Sequence, residues 1–324
     1  MILQAPREQV DAILGAMAAV ALADGPEGVT TADRVTVAAA GRVLFGLPED
    51  VAIEGLRARS PEELAAALPD EAAAATAGRV LAVMALADGV LDAAQVDLVE
   101  GYAAALGLHE DYVRVLTEAA HGELDAANAC MLRKNILSFP GLDHAEGRDV
   151  LDVFLPYRAD GAADPELAAR YATLGELPDG TFGRAFFEHF RRNGFAFPGD
   201  PAGLSEGFTT PHDSSHVIAG YSTSQAGEIC VSTFIGAMHP DHPMTAEVIP
   251  VLFSWHLGIK ITDVAGSFRG AYEPRRFWAA WDRGAATAAD LLDPSWDFWG
   301  ATGVPLDELR RAYSVLPLDP ALAA

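Results

Sequence analysis

An internal repeat near the start of the chain constrains the fold more than any other feature. Ala18 to Gly25 reads AAVALADG and Ala82 to Gly89 reads AVMALADG. Further on, FGLPED at Phe45 to Asp50 is echoed by LGLHED at Leu106 to Asp111, the first copy carrying about three more residues around Pro26 and Glu27. A unit that recurs in this way reads as helix, Asp-Gly turn, helix and Gly-containing turn. Such a unit cannot bury its apolar face alone, so the two copies are predicted to pack as a pseudo-symmetric pair. Val80, Val83, Met84 and Ala87, then Val96, Val99 and Leu106, recur at helical spacing, and Pro48, Pro61 and Pro69 fall at the breaks. The prediction is a bundle of short helices with no strands. Asp24 and Asp88, with Asp92 nearby, have two readings: oxygen ligands for a hard cation, or helix ends closed by a left-handed glycine.

The chain has 324 residues, long enough for two ordinary domains, and half of them are hydrophobic. Its net charge of −24 leaves no basic stripe to track phosphates, which excludes a nucleic-acid binder, and it disfavours electrostatic docking on an anionic membrane. A hydrophobic entrance for a lipid-like ligand needs no charge and stays open. Cys130 and Cys230 lack CxxC spacing and read as two reduced thiols of a cytoplasmic protein. The start of the chain lacks the basic residues of a signal peptide, and the apolar run from Ala12 to Ala23 is too short to span a bilayer.

Helical periodicity loosens between His121 and Asp164, and the domain boundaries are placed at residues 1–140, a linker at 141–164, and 165–324. All five tryptophans lie beyond residue 250 and most phenylalanines beyond 150, so the second half has the larger core and the room for chemistry. Its informative segment runs from Pro211 to Glu228. His212 and His216 are four apart, one above the other on one helix face, a spacing that lets two imidazoles share an ion. Pro211, after Thr209 and Thr210, suits a helix start, which would put Asp213 in the first turn with freedom to reach the same ion. Glu228, after a break at Gly220 and Thr223, would open a second helix through Ile235 facing the first. Two imidazoles and two carboxylates suit zinc, iron, cobalt or manganese.

Other residues carry paired readings. His239 and His242 could add a ligand or proton shuttle, or lie in an exposed turn. His256 reads as a hydrogen-bonded core histidine. Arg184 and Arg269 could meet a substrate carboxylate or form ordinary ion pairs. Phe182, Phe186, Phe190, Phe234, Phe253 and Trp255 could line a cavity or fill the core. Trp296 to Trp299 could cap the last helices or form an oligomer contact. Neither a Walker loop, a GxSxG elbow nor a dinucleotide fingerprint is present.

Two resemblances build on these motifs. The repeated Ala-Asp-Gly followed by an apolar residue, over roughly residues 8 to 120, resembles the tellurite-resistance B-like (TerB-like) domains. His212-Asp-x-x-His216 followed after eleven residues by Glu228 is similar to the signature of the coenzyme Q biosynthesis protein four family. So are LPDGTFGRAFF at Leu177 to Phe187 with Asn193-Gly194, AWDRG at Ala280 to Gly284, Asp293 to Trp299 and PLDELR at Pro305 to Arg310, covering roughly residues 165 to 318. The family resemblance implies an all-α metal-binding protein with His212, Asp213, His216 and Glu228 as ligands, zinc foremost, and an apolar cavity for an isoprenoid tail. It implies oxidative removal of the ring C1 carboxyl from a prenylated hydroxybenzoate, with contacts to partner enzymes and peripherally to the membrane. Arg184, Phe186, Phe234 and Trp255 are the expected substrate-binding residues, and a homodimer is the expected assembly. The family usually lacks a TerB-like half, so the substrate here could be another aromatic or lipid-like acid. The rival expectation is a non-catalytic prenyl-lipid-binding or scaffold protein with a structural metal; a metal-dependent hydrolase is third, for want of a separate general base.

Overall fold

The computed structural model describes residues 5–25, 27–142, 148–159, 162–262 and 266–322. The fold is all-α: among the described residues there are sixteen α-helices and no sheet. The first seven are α1 (Arg7–Ala21), α2 (Thr31–Ala39), α3 (Pro61–Ala67), α4 (Glu71–Met84), α5 (Ala93–Ala105), α6 (Asp111–Ala120) and α7 (Leu124–Ser138). Short helices α8 (Val150–Phe154) and α9 (Pro165–Ala172) lead to the long α10 (Phe182–Asn193), α11 (Glu206–Ala219) and α12 (Gln225–Met238). The chain closes with α13 (Ile249–Trp255), α14 (Pro274–Ala286), α15 (Phe298–Ala301) and α16 (Leu306–Ala312). None of the described helices is long and apolar enough to cross a membrane.

Local sequence explains where these helices begin. Thr30 with Asp33, and Ser60 with Glu63, form reciprocal capping boxes at α2 and α3, each satisfying two backbone N–H groups that a helix start leaves unpaired. Asp70, Asp92, Asp164, Thr181 and Ser224 cap α4, α5, α9, α10 and α12. In each repeat copy a helix (α1, α4) ends in an Asp-Gly turn before a capped helix (α2, α5). Gly25 and Gly89 have φ of 105° and 79°, which residues with a Cβ rarely adopt. Asp92 spends its carboxylate on the backbone N–H groups of Ala94 and Gln95, and Asp88 accepts from the Val90 N–H at 2.9 Å. These aspartates act as turn and cap residues, and among the described residues they do not form a cluster with metal-ligand spacing.

The packing does not follow the sequence halves. One core is built on α1, α4, α5 and α6, with α1 buried on nearly all sides, and it continues through Ile229, Met244, Val248, Phe253, Phe277 and Trp278. The second core gathers Phe139, Tyr171, Phe182, Phe186, Phe190, Phe234 and Phe298. Helices α7, α12 and α14 contribute to both. The segment expected as a linker, 141–164, contains α8, whose Val153 and Phe154 are buried in the second core; 143–147 and 160–161 lie outside the described residues. His256 is the cross-strut: its Nε2 meets the Ala87 carbonyl at 3.1 Å, tying the C-terminal half to the second repeat turn.

Helices α12 and α14 touch at close quarters because Gly284 has no side chain. A Cβ there would lie 2.2 Å from the Phe234 carbonyl oxygen, a backbone atom that cannot swing away. Gly284→Ala gains about 1 kcal/mol of helix propensity, but overpacking of this kind costs about 1–3 kcal/mol. The net expectation is a lower denaturation midpoint, and a midpoint at or above wild type would mean the helices can slide apart freely.

Candidate metal centre

The site is built on α11 and the first turn of α12. Helix α11 starts at Glu206, five residues earlier than the proline suggested, so Pro211 and Asp213 lie inside the helix and not in its first turn. Pro211 therefore breaks the regular ladder in mid-helix, and the Ser215 hydroxyl donates back to the Pro211 carbonyl at 2.8 Å. The other end is firmly held. Arg310 donates to the carbonyls of Ile218 and Val217 at 2.9 and 3.0 Å, and Arg283 to that of Ala219 at 2.8 Å. Basic side chains on the last carbonyls satisfy groups that a helix end leaves unpaired and suit its negative pole.

On this fixed helix His212 and His216 project from one face toward Glu228. His212 Nε2 is 3.5 Å from Glu228 Oε2, and His216 Nε2 is 3.5 Å from Glu228 Oε1. These are the one group among the described residues whose donor atoms all lie within 4.8 Å of one another. The separations are long for hydrogen bonds. They fit ligands around a shared cation, since two atoms each about 2.05 Å from a tetrahedral zinc are about 3.3 Å apart. His216 is buried and its Nε2 has no hydrogen-bond partner, an expensive state for a ring nitrogen unless an ion takes its lone pair. Its other nitrogen, Nδ1, is 3.1 Å from the Tyr221 carbonyl, so Nδ1 carries the proton and Nε2 faces the site as an acceptor.

Electrostatics point the same way. Burial opposes ionisation of Glu228, but the two imidazoles outweigh it and hold its carboxyl well below the usual carboxylate range. Burial also disfavours a charged His216, and Glu228 and Asp213 outweigh that, raising its affinity for positive charge. The carboxylate thus draws positive charge into the space between it and the two rings, and a proton or a divalent cation would supply it.

Asp213, expected as a fourth ligand, goes elsewhere. Its Oδ1 is 2.8 Å from Nε2 of His189, a buried residue of α10. One residue past His212 means about 100° around the helix, which turns the carboxylate away from the face the two histidines share. His189 in turn stacks on His216, ring centroids 5.4 Å apart, and Asn193 links α10 to Thr223 at 3.0 Å. Asp213 thus orients the ring that backs His216. Groups that orient ligands cost about 10–100-fold in metal affinity when removed. Asp213→Asn is expected to fall in that range in a chelator competition; a loss as deep as that of a direct ligand would return Asp213 to the coordination sphere.

Two cavities meet at this cluster. One, of about 470 Å³, is lined by Phe190, Phe195, Leu204, Asp213 and His216, among others. The other, of about 140 Å³, extends toward Met131, Asn135, Phe154 and Glu247. Phe208, His212, Glu228 and Trp255 border both. Phe208 stacks on the His212 ring with centroids 5.0 Å apart and fixes its plane.

Of the residues expected to bind substrate, Trp255 lies at this junction. Arg184 does not: it pairs with Glu188 at 2.7 Å and Asp179 at 3.7 Å and donates to the Gly175 carbonyl. Phe186 is fully buried between Phe190 and Phe298, and Phe234 is fully buried 5.9 Å beneath the Arg283 guanidinium. His239 pairs with Asp290 at 2.8 Å and His242 sits beside Lys134 and Asp111, both outside the metal cluster. Arg269 is exposed. Sequence reasoning missed His189, Phe208 and Glu247. The available signals were a histidine on the apolar face of the Phe182–Phe186–Phe190 helix and a single acid inside the apolar run from Met244 to Phe253. No family model matches the chain, and no curated protein is significantly similar to it.

Proposed function

We propose that this protein is a metal-dependent enzyme acting on an aromatic carboxylic acid that carries an apolar or isoprenoid tail. The observation that carries the reading is the position of the His212–His216–Glu228 cluster, with one buried imidazole nitrogen unpartnered, where two cavities join. A structural zinc site is closed by four protein ligands, whereas a catalytic one keeps a position open. Three protein donors bordering open space favour the second, and zinc is the first ion to test.

The ion, when bound, would supply Lewis acidity toward a substrate carboxylate or phenolate oxygen. The chain's own residues do the rest. His212, His216 and Glu228 hold the ion; the Tyr221 carbonyl and the Asp213–His189 pair fix the His216 ring; Phe208 and Trp255 shape an apolar border that limits water. The cavity of about 140 Å³ is close to the roughly 150 Å³ that accommodates a single benzene ring. The larger one, with Phe190, Phe195 and Leu204 in its wall, suits a tail. The reaction class to assay first is oxidative decarboxylation. The ring carboxyl leaves as carbon dioxide, a hydroxyl takes its place, dioxygen is the oxidant, and a two-electron donor reduces its second oxygen atom to water.

The experiment is a binding titration of zinc-loaded and metal-stripped protein with benzoate and 3-octylbenzoate. Each buried methylene contributes about 0.8 kcal/mol, so the octyl compound should bind zinc-loaded protein at least about a hundredfold more tightly. Both acids should weaken when zinc is stripped. Affinities indifferent to metal, or to the tail, would overturn the proposal.

A further inference from the structure

The ring-sized cavity has an acid in its wall that the metal centre does not use. Glu247 belongs to a π-helical stretch, Pro243–Val248, and is 3 % exposed. Such stretches interrupt regular helix and recur at functional sites. Its only charged neighbour of note is His239, and no cation pairs with it among the described residues. Glu247 borders the same cavity as His212 and Glu228, and Met131, Phe154, Val251 and Trp255 are part of its apolar lining.

Counting protons at this corner shows the state of the carboxyl. The Ser138 hydroxyl has one hydrogen and two acceptors in reach: the Asn135 carbonyl at 2.8 Å and Glu247 Oε1 at 3.1 Å. Asn135 gives one amide hydrogen to the Ala246 carbonyl at 2.9 Å, leaving only a long 3.4 Å contact for Glu247 Oε1. A buried carboxylate served by one shared and one long donor is poorly compensated. A neutral carboxyl fits, since it can complete the Ser138 bond itself. Burial favours the same form. Both contacts fall on Oε1, and no described residue hydrogen-bonds Oε2. That oxygen is the group left for whatever fills the cavity.

We propose that Glu247, held by Ser138 and Asn135 in the wall of the ring-sized cavity, is a specificity-determining residue that recognises an uncharged hydroxyl group on the ligand. A hydroxyl both donates and accepts, so it satisfies a neutral carboxyl whichever oxygen carries the proton. A ring lacking the hydroxyl would leave Glu247 Oε2 buried without a partner, which is how a polar site rejects an apolar analogue. This inference rests on the proposed reading that the cavity takes an aromatic acid, but its readout is separate from the metal.

The test uses zinc-loaded full-length protein and two probes that differ by one hydroxyl, 4-hydroxybenzoate and benzoate, titrated calorimetrically. Wild type should prefer the hydroxylated acid by about tenfold or more. Glu247→Gln, which mimics the neutral acid, should keep most of that preference. Glu247→Leu should reduce it to less than about twofold, with zinc content and helicity unchanged. Should the leucine variant not fold, Glu247→Met, unbranched and of similar length, gives the same readout. A preference that survives in the folded apolar variant, or is absent from wild type, overturns the assignment. A hydroxyl preference that persists in protein unable to take up zinc would support Glu247 and count against the metal centre instead.

Discussion

Glu228→Ala and His216→Ala are each expected to lose bound zinc, with affinity falling by more than about a hundredfold. Removing residues that merely orient a ligand already costs about 10–100-fold, and Glu228 faces both histidines at once, with an oxygen 3.5 Å from each ring. Its removal leaves two imidazoles, too few donors to hold zinc against water. The His216 variant loses the one donor whose lone pair has no other use, and it opens a gap beneath the stacked His189 ring. His212→Ala should be milder in its effect on folding, since His212 is only partly buried and its loss widens a space already open to both cavities. Metal analysis by mass spectrometry, with helicity followed on the same samples, separates the outcomes. Folded variants that keep a full complement of zinc would show that the ion lies elsewhere. Variants that melt on losing zinc would indicate an ion that staples α11 to α12, the non-catalytic reading.

How far the sequence foretold this arrangement depends on the range of each interaction. The helical class, the turns at Gly25 and Gly89, and the shared face of His212 and His216 were legible because each rests on local rules: periodicity, a left-handed glycine, and a four-residue step on one helix face. Glu228 lies on a second helix, and the motif resemblance, not a local rule, pointed to its place opposite the histidines. The same local reasoning misplaced the start of α11. Pro211 is a strong start signal, but Ser205 and Glu206 lie upstream and the helix tolerates the proline in its interior. Asp213 was assigned by its neighbourhood in sequence, and its partner His189 lies 24 residues away on α10. Arg184, Phe186 and Phe234 carry the chemistry of binding residues, yet one is consumed by Glu188 and the others by the aromatic core. Which face of α10 or α12 meets a cavity is decided by tertiary packing. The boundary at 141–164 shows the same limit, because α7, α12 and α14 each serve both cores. Glu247 was passed over for a related reason: an acid inside an apolar run signals burial, but its role comes from what lies around it and not from its spacing to any other acid.

Glu247→Gln is expected to stabilise the protein in mild alkali and to do so less as the pH falls. Burial pushes the Glu247 carboxyl up to about 8, against an ordinary value of 4.5, with partial relief from Ser138, the charge of His239 and Asn135. The folded protein therefore holds a proton that the unfolded chain gives up above pH 4.5. Below that pH both states are protonated and the residue costs nothing. Between 4.5 and about 8 folding must take up a proton, so stability falls as pH rises, and the cost levels off above the folded value. The full span is worth about 4–5 kcal/mol at most, and about 3 kcal/mol of it accrues between pH 5.5 and 8.5. Glutamine has no proton to lose, so the stability gap between variant and wild type should widen over that interval by roughly 3 kcal/mol, or roughly 5 °C in midpoint for a chain of this size. His239 titrates in both proteins, held up chiefly by Asp290 in each; the smaller push that a Glu247 charge adds is absent from the variant, so only the Asp290 part of its contribution cancels from the difference. Any change in hydrogen bonding from the added amide shifts the whole curve and leaves its slope alone. Thermal melts of the two proteins across pH 5.5 to 8.5 measure that slope directly. A gap that stays flat would mean Glu247 is ionised in the folded protein, and the neutral carboxyl at the cavity wall would have to be abandoned.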